Sequence, residues 1–219
     1  NPIPDDQPAM NNFVLMQKKV TNDIIRILSD LNQKKDKCED EIKLTTIYNE
    51  FLNLEKRDKL GLSPLKSELQ LIDEIKTHKD VAKVMASFFK IGVASPMLFA
   101  VESDYKDSEK NIVFVTQAGL GLQKNNYFDT DDYSMALRGI YSDYISKLFK
   151  LAGIEDAEKL SKDVLAFETE LAKIQWSLSE NRDPLKTYNV VNYEELLKKT
   201  EGLYVKEQFE ILGLPKEYP

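Results

Sequence analysis

Apolar residues recur at steps of three and four over most of the chain, and this spacing places side chains on one face of an α-helix. The first stripe predicts a long helix ending near Lys34, with Phe13, Met16, Val20, Ile24, Ile27 and Leu31 on one face. A second stripe predicts a helix with an inward face formed by Ile42, Ile47, Tyr48, Phe51 and Leu52. Pro8 suits a first helical position, where its missing N–H costs no hydrogen bond.

Strong helix boundaries follow. The segment 61–64 predicts a stop and a restart, after which Leu65, Leu69, Ile72 and Ile75 form the next stripe. Thr77 with Asp80 predicts a capped helix start, and Gly92 predicts the end of that helix in the left-handed conformation. Its predicted inward residues are Val81, Val84, Met85, Phe88 and Phe89.

One segment departs from the helical period. Residues 97–101 are apolar, residues 102–110 are polar, and residues 111–117 are β-branched and aromatic, which predicts a β-hairpin near 97–117. Gly119 and Gly121 follow it without the further residues of a dinucleotide or phosphate loop. We therefore interpret them as a hairpin exit in which glycine permits a positive φ.

Helices resume near Thr130, where Asp131 and Asp132 suit a helix start, and this helix is predicted to stop at Gly153. Its predicted inward residues are Met135, Ile140, Tyr144, Ile145, Leu148 and Phe149. The next helix, about 156–178, is predicted to bury Leu160, Val164, Phe167, Leu171 and Ile174. After a break at 182–184, Asn192 with Glu195 opens a short helix, and a last helix ends at Gly213. The predicted fold is mainly α with one hairpin.

Composition excludes several partners. The chain has 219 residues, of which 42% are hydrophobic and 31% charged, so it can bury a core. Its net charge of -7, without a basic block, argues against nucleic-acid binding. The longest apolar stretch, 92–101, is too short to span a bilayer, so no membrane segment is predicted in this chain.

The residues needed for self-contained catalysis are missing. A catalytic zinc needs three protein ligands, but the chain has one histidine, His78, one cysteine, Cys38, and no His-Glu-x-x-His. We expect no catalytic residue, no metal site and no bound cofactor in this chain. Helix capping explains Asp131 and its neighbours better than a metal site does. An enzyme using carboxylates alone is the least favoured hypothesis, because nothing locates its site among the 37 acidic residues.

Five segments, in order, carry a resemblance to a known family. They are Asn-Pro-Ile-Pro-Asp-Asp-Gln-Pro at 1–8, Asp-Glu-Ile-Lys-Thr at 73–77 with Asp80, Gly-Leu-Gly-Leu at 119–122 with Asn-Tyr-Phe at 126–128, Glu-Thr-Glu-Leu-Ala-Lys at 168–173 with Trp-Ser at 176–177, and Arg-Asp-Pro at 182–184 with Tyr-Asn at 188–189. Together they resemble neprilysin-like zinc metallopeptidases, especially the bacterial endopeptidase-O branch.

The resemblance implies a zinc-dependent oligopeptidase with two interwoven lobes around a cavity. Residues 1–190 would form the N-terminal helical part of the catalytic-side lobe, and residues 191–219 would begin the crossing into the second lobe. The zinc ligands and the general base would lie downstream, so zinc is expected in the full-length protein only. The implied partners are the C-terminal catalytic part of the same protein and peptide substrates.

The resemblance also suggests two substrate-binding residues. By position on the first helix, Phe13 and Gln17 could line the cleft one helical turn apart. A core Phe13 and a solvated Gln17 remain the alternative. Ala9 stands near a position where animal members carry an arginine for the substrate carboxylate, which argues against a dipeptidyl-carboxypeptidase preference. A single Cys38 fits a bacterial origin better than the disulfide-rich animal members, and the compartment stays open between cytoplasm, periplasm and secretion.

Two functional hypotheses therefore stand. The first is the non-catalytic N-terminal portion of a zinc-dependent endopeptidase that hydrolyses small peptides, with the chain being a fragment that is inactive alone. The second is a stand-alone helical module that binds peptides or proteins without enzymatic activity. The second predicts a compact monomer without a large exposed apolar patch, whereas the first predicts such a patch.

Overall fold

The computed structural model describes residues 11–214. The described part is mainly α-helical with one antiparallel hairpin, β1 (Met97–Ser103) and β2 (Asn111–Gln117). Its α-helices are α1 (Asn12–Gln33), α2 (Glu39–Leu52), α3 (Leu54–Leu60), α4 (Lys66–Asp73), α5 (His78–Phe89), α6 (Asp132–Leu151), α7 (Ala157–Ile174), α8 (Leu178–Asn181), α9 (Pro184–Thr187), α10 (Tyr193–Lys199) and α11 (Val205–Leu212). The described residues divide into two compact units between Pro64 and Leu65.

The first unit is built on the pairing of α1 with α2. The leading helix begins at Asn12 because the Asn11 side chain accepts a hydrogen bond of 3.0 Å from the Val14 N–H. Asn32 and Asn49 exchange two amide hydrogen bonds of 3.0 and 2.9 Å between the two helices. The predicted end of α1 near Lys34 is confirmed, and Pro8 lies outside the described residues.

The predicted inward face of the second helix is exposed instead. The helix forms as α2, but Ile42, Ile47, Phe51 and Leu52 are exposed, Phe51 to 82%. Leu65, Leu69 and Ile72 of the next stripe are also exposed. The inward assignment of the α2 residues is wrong for this structure, because periodicity identifies a face suited to burial but not the surface that covers it. A separate helix, α3, was not predicted.

The second unit has its core where the hairpin meets α5 and α11. Phe99 of β1 packs edge-to-face against Phe89 and Phe209, with ring centroids 6.2 and 5.8 Å apart. Phe209 is 1% exposed, and Val205 beside it is equally buried. The predicted start of α5 is confirmed, since Thr77 and Asp80 form a capping box. The predicted hairpin is also confirmed, with Met97 opposite Gln117.

The helices α6 and α7 form an antiparallel pair in the same unit. Small side chains let them approach closely, and Ser142 Oγ lies 3.2 Å from Ser161 Oγ. Asp131 caps α6 as predicted. The prediction of inward side chains is right for buried Ile145 but wrong for a set of exposed ones: Met135, Ile140, Tyr144, Leu148, Phe167 and Ile174. All six side chains are exposed, so α-helical periodicity alone assigned them to the wrong environment.

The predicted lobe boundary near residue 190 stays a prediction. The helices α10 and α11 after this point pack against the hairpin and α5, within the unit that starts at Leu65. Lys79 of α5 and Glu207 of α11 add an ion pair of 2.7 Å. Residues 191–214 are therefore part of the core of the second unit.

Candidate functional site

The two predicted substrate-binding residues lie on one face of α1. Phe13 is 84% exposed and Gln17 is exposed one helical turn later. The alternative of a core Phe13 is wrong for this structure, whereas a solvated Gln17 agrees with it. An exposed phenyl ring beside an amide offers an apolar contact and a group that both donates and accepts hydrogen bonds. A role in binding substrate stays a prediction, and Ala9 lies outside the described residues.

The described residues do not fit a catalytic metal. Within 11–214, no group of three or more His, Cys, Asp or Glu side chains is placed to hold an ion. His78 is exposed at the first position of α5, and Cys38 is exposed at the N-cap of α2. A zinc site with three protein ligands therefore needs residues from outside this part of the chain. Over the same residues, no helix combines the length and the hydropathy needed to cross a bilayer.

A hydrogen-bonded polar cluster surrounds Glu168 of α7. The Tyr127 hydroxyl donates a 2.7 Å hydrogen bond to Glu168 Oε2, and the Tyr141 hydroxyl of α6 donates one of 3.1 Å to Glu168 Oε1. The Tyr127 hydroxyl also accepts a 3.0 Å hydrogen bond from the Leu122 N–H. Tyr127 is buried, so the donor and acceptor capacity of its hydroxyl is used without help from bulk solvent. We call Tyr127, Tyr141 and Glu168 the carboxylate cluster.

Burial and the neighbouring carboxylate both act on the two phenols. Burial raises the pKa of Tyr127, and the hydrogen bond to Glu168 raises it further. Burial and the charge of Glu168 raise the pKa of Tyr141 to about 12. Both hydroxyls are therefore neutral donors at physiological pH, which is the state that satisfies the carboxylate.

The segment between the hairpin and α6 is fastened to the end of α7. The Gln117 side chain donates to the Trp176 carbonyl over 2.9 Å and accepts from the Trp176 N–H over 2.8 Å. The Gln175 amide donates to the Ala118 carbonyl over 2.7 Å, and the Lys124 ammonium donates to the Gln175 carbonyl. These contacts hold the hairpin exit against α7 and explain why that helix stops at Ile174 rather than near residue 178.

The two glycines of this segment are required for different reasons. Gly119 has φ of +84°, as predicted for a hairpin exit, and a Cβ there would lie 2.8 Å from Pro96 N. Gly121 has no positive φ, but a Cβ there would overlap the Tyr141 hydroxyl. The segment can therefore approach both the hairpin entry and α6 only because side chains are missing at these positions.

Sequence reasoning found part of this cluster. Glu168 and Tyr127 belong to the segments that carried the resemblance, but no role was assigned to them, and Tyr141 was missed. A signal did exist for Glu168: it lies four residues after Val164 and three before Leu171, within the predicted inward stripe of α7. A lone carboxylate in such a stripe needs hydrogen-bond donors from another element. The distance in sequence to Tyr127 and Tyr141 made those donors hard to identify.

A groove of about 960 Å³ lies between β2 and the segment that leads into α10. Tyr188 closes one side: its hydroxyl donates a 2.7 Å hydrogen bond to Asp104, and the Lys106 ammonium lies 4.4 Å from its ring centroid. Tyr193 lines the groove, and its buried hydroxyl has no hydrogen-bond partner among the described residues. The groove offers an apolar wall and one unused hydroxyl.

The carboxylate cluster and the groove are suited to holding structural elements and binding a ligand rather than to catalysis. The carboxylate cluster holds no nucleophile beside a free base, because each tyrosine hydroxyl is committed to Glu168. It joins α6, α7 and the segment 119–128 in a fixed arrangement. Two of the segments that carried the resemblance meet around it or beside it: 119–122 with 126–128, and 168–173 with 176–177.

Comparisons with known proteins agree on one family. The family model described as Peptidase family M13 matches residues 1–218. The neutral endopeptidase of Lactococcus lactis subsp. cremoris is 24% identical over 207 residues, which cover 93% of this chain and 33% of that protein. The endothelin-converting enzyme 1 of Rattus norvegicus is 27% identical over 212 residues, covering 90% of this chain and 27% of that protein.

Solved structures share the fold. The zinc metalloprotease Zmp1 of Mycobacterium tuberculosis, in complex with an inhibitor, superposes with a TM-score of 0.86 at 24% identity. The match covers 97% of this chain and 33% of the Zmp1 chain. The chain thus spans about a third of the length of the curated relatives and of the solved structure to which it is similar.

Proposed function

Because the chain belongs to Peptidase family M13, we propose that it is the N-terminal, non-catalytic portion of a zinc-dependent endopeptidase that hydrolyses small peptides. The observation that carries this proposal is the family match over residues 1–218, by a chain that spans about a third of its relatives. The relatives are a neutral endopeptidase and an endothelin-converting enzyme by name. The expected partner is a C-terminal part that supplies the metal site.

The roles of the two parts of the protein follow from which metal-binding side chains this chain contains. Residues 11–214 contain no cluster of metal-binding side chains, so the zinc ligands and the group that activates water would come from the C-terminal part. This chain would contribute a folded shell and a surface for substrate. Within that surface we propose Phe13 and Gln17, because both are exposed on one face of α1. The Gln17 amide can pair with a peptide backbone group without requiring a charged terminus.

The exposed apolar surface argues against the stand-alone binding module. That hypothesis predicts a monomer without a large apolar patch, whereas Ile140, Leu148 and Leu151 are exposed together on one face of α6. Large exposed patches mark surfaces that bind another protein segment. The groove beside Tyr193 could hold a peptide in either case, so it does not favour the module.

Metal content and peptide hydrolysis of the natural gene product test the proposal. We expect about one zinc per chain by elemental analysis, and cleavage of short peptides that a chelator abolishes and added zinc restores. The 219-residue chain, assayed in parallel, should bind no stoichiometric zinc and cleave nothing. Zinc-dependent hydrolysis by the 219-residue chain, or a metal-free inactive gene product, would refute it.

Gln17→Ala and the matched variant Gln33→Ala test the substrate surface. Gln33 is the last residue of the same helix and gives the same change of side chain. We expect Gln17→Ala to raise KM several-fold with little change in kcat, because a contact to bound peptide is lost. Gln33→Ala should leave both constants unchanged. Equal kinetics of the two variants would remove Gln17 from the proposed surface and leave the proposed peptidase activity intact.

A further inference from the structure

The helix α6 has two apolar faces, and only one is covered by described residues. One face packs on α7 through Tyr141, Ser142 and Ile145. The second face is a stripe of residues at steps of four, three, four, four and three: Tyr133, Leu137, Ile140, Tyr144, Leu148 and Leu151. All of these are exposed except half-buried Leu137, and Ile140 and Leu151 are exposed to 66% and 74%. We call this set the α6 stripe.

The geometry of the α6 stripe fits a helix. At 100° per residue, its members fall within an arc of about 80° and extend along about 27 Å of the helix. A straight apolar ridge of this width and spacing is what two packed helices present to each other. The polar face of α6 lies to one side of the stripe, with Asp143 and Lys150 exposed about 60° and 80° around the helix from Ile140. The stripe therefore lies between the α7 contact and the solvated face.

We infer that the α6 stripe is the docking surface for an α-helix from the C-terminal part of the same peptidase. This inference rests on the proposed function. The segment matches 33% of the Zmp1 chain at a TM-score of 0.86, so this fold occurs there within a chain about three times as long. A part of that size has enough surface to cover an uncovered apolar ridge on the segment it accompanies. A second copy of the chain is the competing occupant.

Thiol labelling within the natural full-length product tests the inference. In a Cys38→Ser background, which removes the one cysteine of this 219-residue segment, a cysteine is placed by Ile140→Cys in the stripe or by Asp143→Cys on the polar face of the same helix, and labelling is read at that position by peptide mass spectrometry. Each labelling rate in the folded protein is divided by the rate of the same variant unfolded in urea, which corrects for the intrinsic reactivity of the thiol. We expect the stripe position to react at least about tenfold more slowly than its control, since burial restricts access to the thiolate.

Each outcome decides the inference. Equal corrected rates at the two positions would overturn it, because the stripe would then be open. Slow labelling at the stripe that becomes fast on dilution, with a dimer by sedimentation, would assign the stripe to a second copy and also overturn it. Leu151→Cys repeats the test if Ile140→Cys does not fold. An active zinc peptidase with equal rates refutes this inference alone, whereas protection in an inactive, zinc-free product refutes the proposed function alone.

Discussion

Removing the Tyr127 hydroxyl should destabilise the second unit more than removing the Tyr141 hydroxyl. Tyr127→Phe deletes the 2.7 Å hydrogen bond to Glu168 and the 3.0 Å hydrogen bond from the Leu122 N–H. A hydrogen bond to a charged group contributes roughly 1.5–3 kcal/mol and a neutral one about 1 kcal/mol. Part of this loss in stability is offset, because the phenylalanine variant has no hydroxyl to remove from water on folding. We expect a net loss of about 2–3 kcal/mol in the free energy of unfolding.

Tyr141→Phe is the matched control. It deletes a single, longer hydrogen bond of 3.1 Å to the same carboxylate, and Tyr141 is only half-buried. Water can replace the lost donor there, so we expect a loss of about 0.5–1.5 kcal/mol. Both variants keep the aromatic ring and therefore leave no cavity.

Urea unfolding followed by far-UV circular dichroism at neutral pH measures both losses. With a slope of about 2 kcal/mol per molar urea, Tyr127→Phe should lower the midpoint by roughly 1–1.5 M. The double variant should lose more than the sum of the single variants, because the Glu168 carboxylate then has neither tyrosine donor. A Tyr127→Phe loss no larger than that of Tyr141→Phe would refute the reasoning that burial and the second hydrogen bond decide the cost.

Three further predictions concern pH and backbone. Because the pKa of Tyr141 is raised in the folded state, its contribution to stability is complete below pH 10 and is lost as the pH rises toward the folded pKa of about 12. Tyr141→Phe should therefore flatten the decline of the thermal unfolding midpoint between pH 10 and 12. The hydrogen bond from the Thr77 hydroxyl lowers the pKa of Asp80 in the folded state, which stabilises the fold above about pH 4. This stabilisation is lost as the pH falls through the lower folded pKa. Thr77→Ala should therefore reduce the fall of the calorimetric unfolding temperature over that acid range. Gly119→Ala should lower the free energy of unfolding in urea by at least about 2 kcal/mol, because the positive φ and the nearby Pro96 backbone both disfavour a side chain there. Gly139→Ala, at an open position within α6, should instead raise it by about 0.5–1 kcal/mol.

Helix positions followed from local signals in the sequence. Thr77 with Asp80, Asp131 and Asn192 each cap the helix that was predicted to start beside them. Gly92 ends its helix with φ of +82°, as predicted. The hairpin also appeared where periodicity changed. These features depend on the conformational preferences and hydrogen bonds of a few neighbouring residues, which the sequence contains completely.

The resemblance to the family was also readable from the chain, and the match over residues 1–218 confirms it. Its segments are short and spread over the chain, and the structure explains part of their arrangement. Glu168 and Trp176 belong to one such stretch and Tyr127 to another, and the two stretches meet beside the hairpin exit. Tyr141 completes the cluster from a stretch that carried no resemblance.

Burial was the property that local pattern predicted least well. The spacing of Ile140, Tyr144 and Leu148 identified an apolar face of α6, but that face is exposed, while Ile145 faces α7. Capping and turn formation are settled within a few residues, so the sequence alone located the hairpin and the capped helix starts, although it missed α3 and placed the end of α7 too late. Which faces meet depends on contacts between residues far apart in the chain, so only the tertiary structure decided the core around Phe99, the carboxylate cluster and the uncovered α6 stripe.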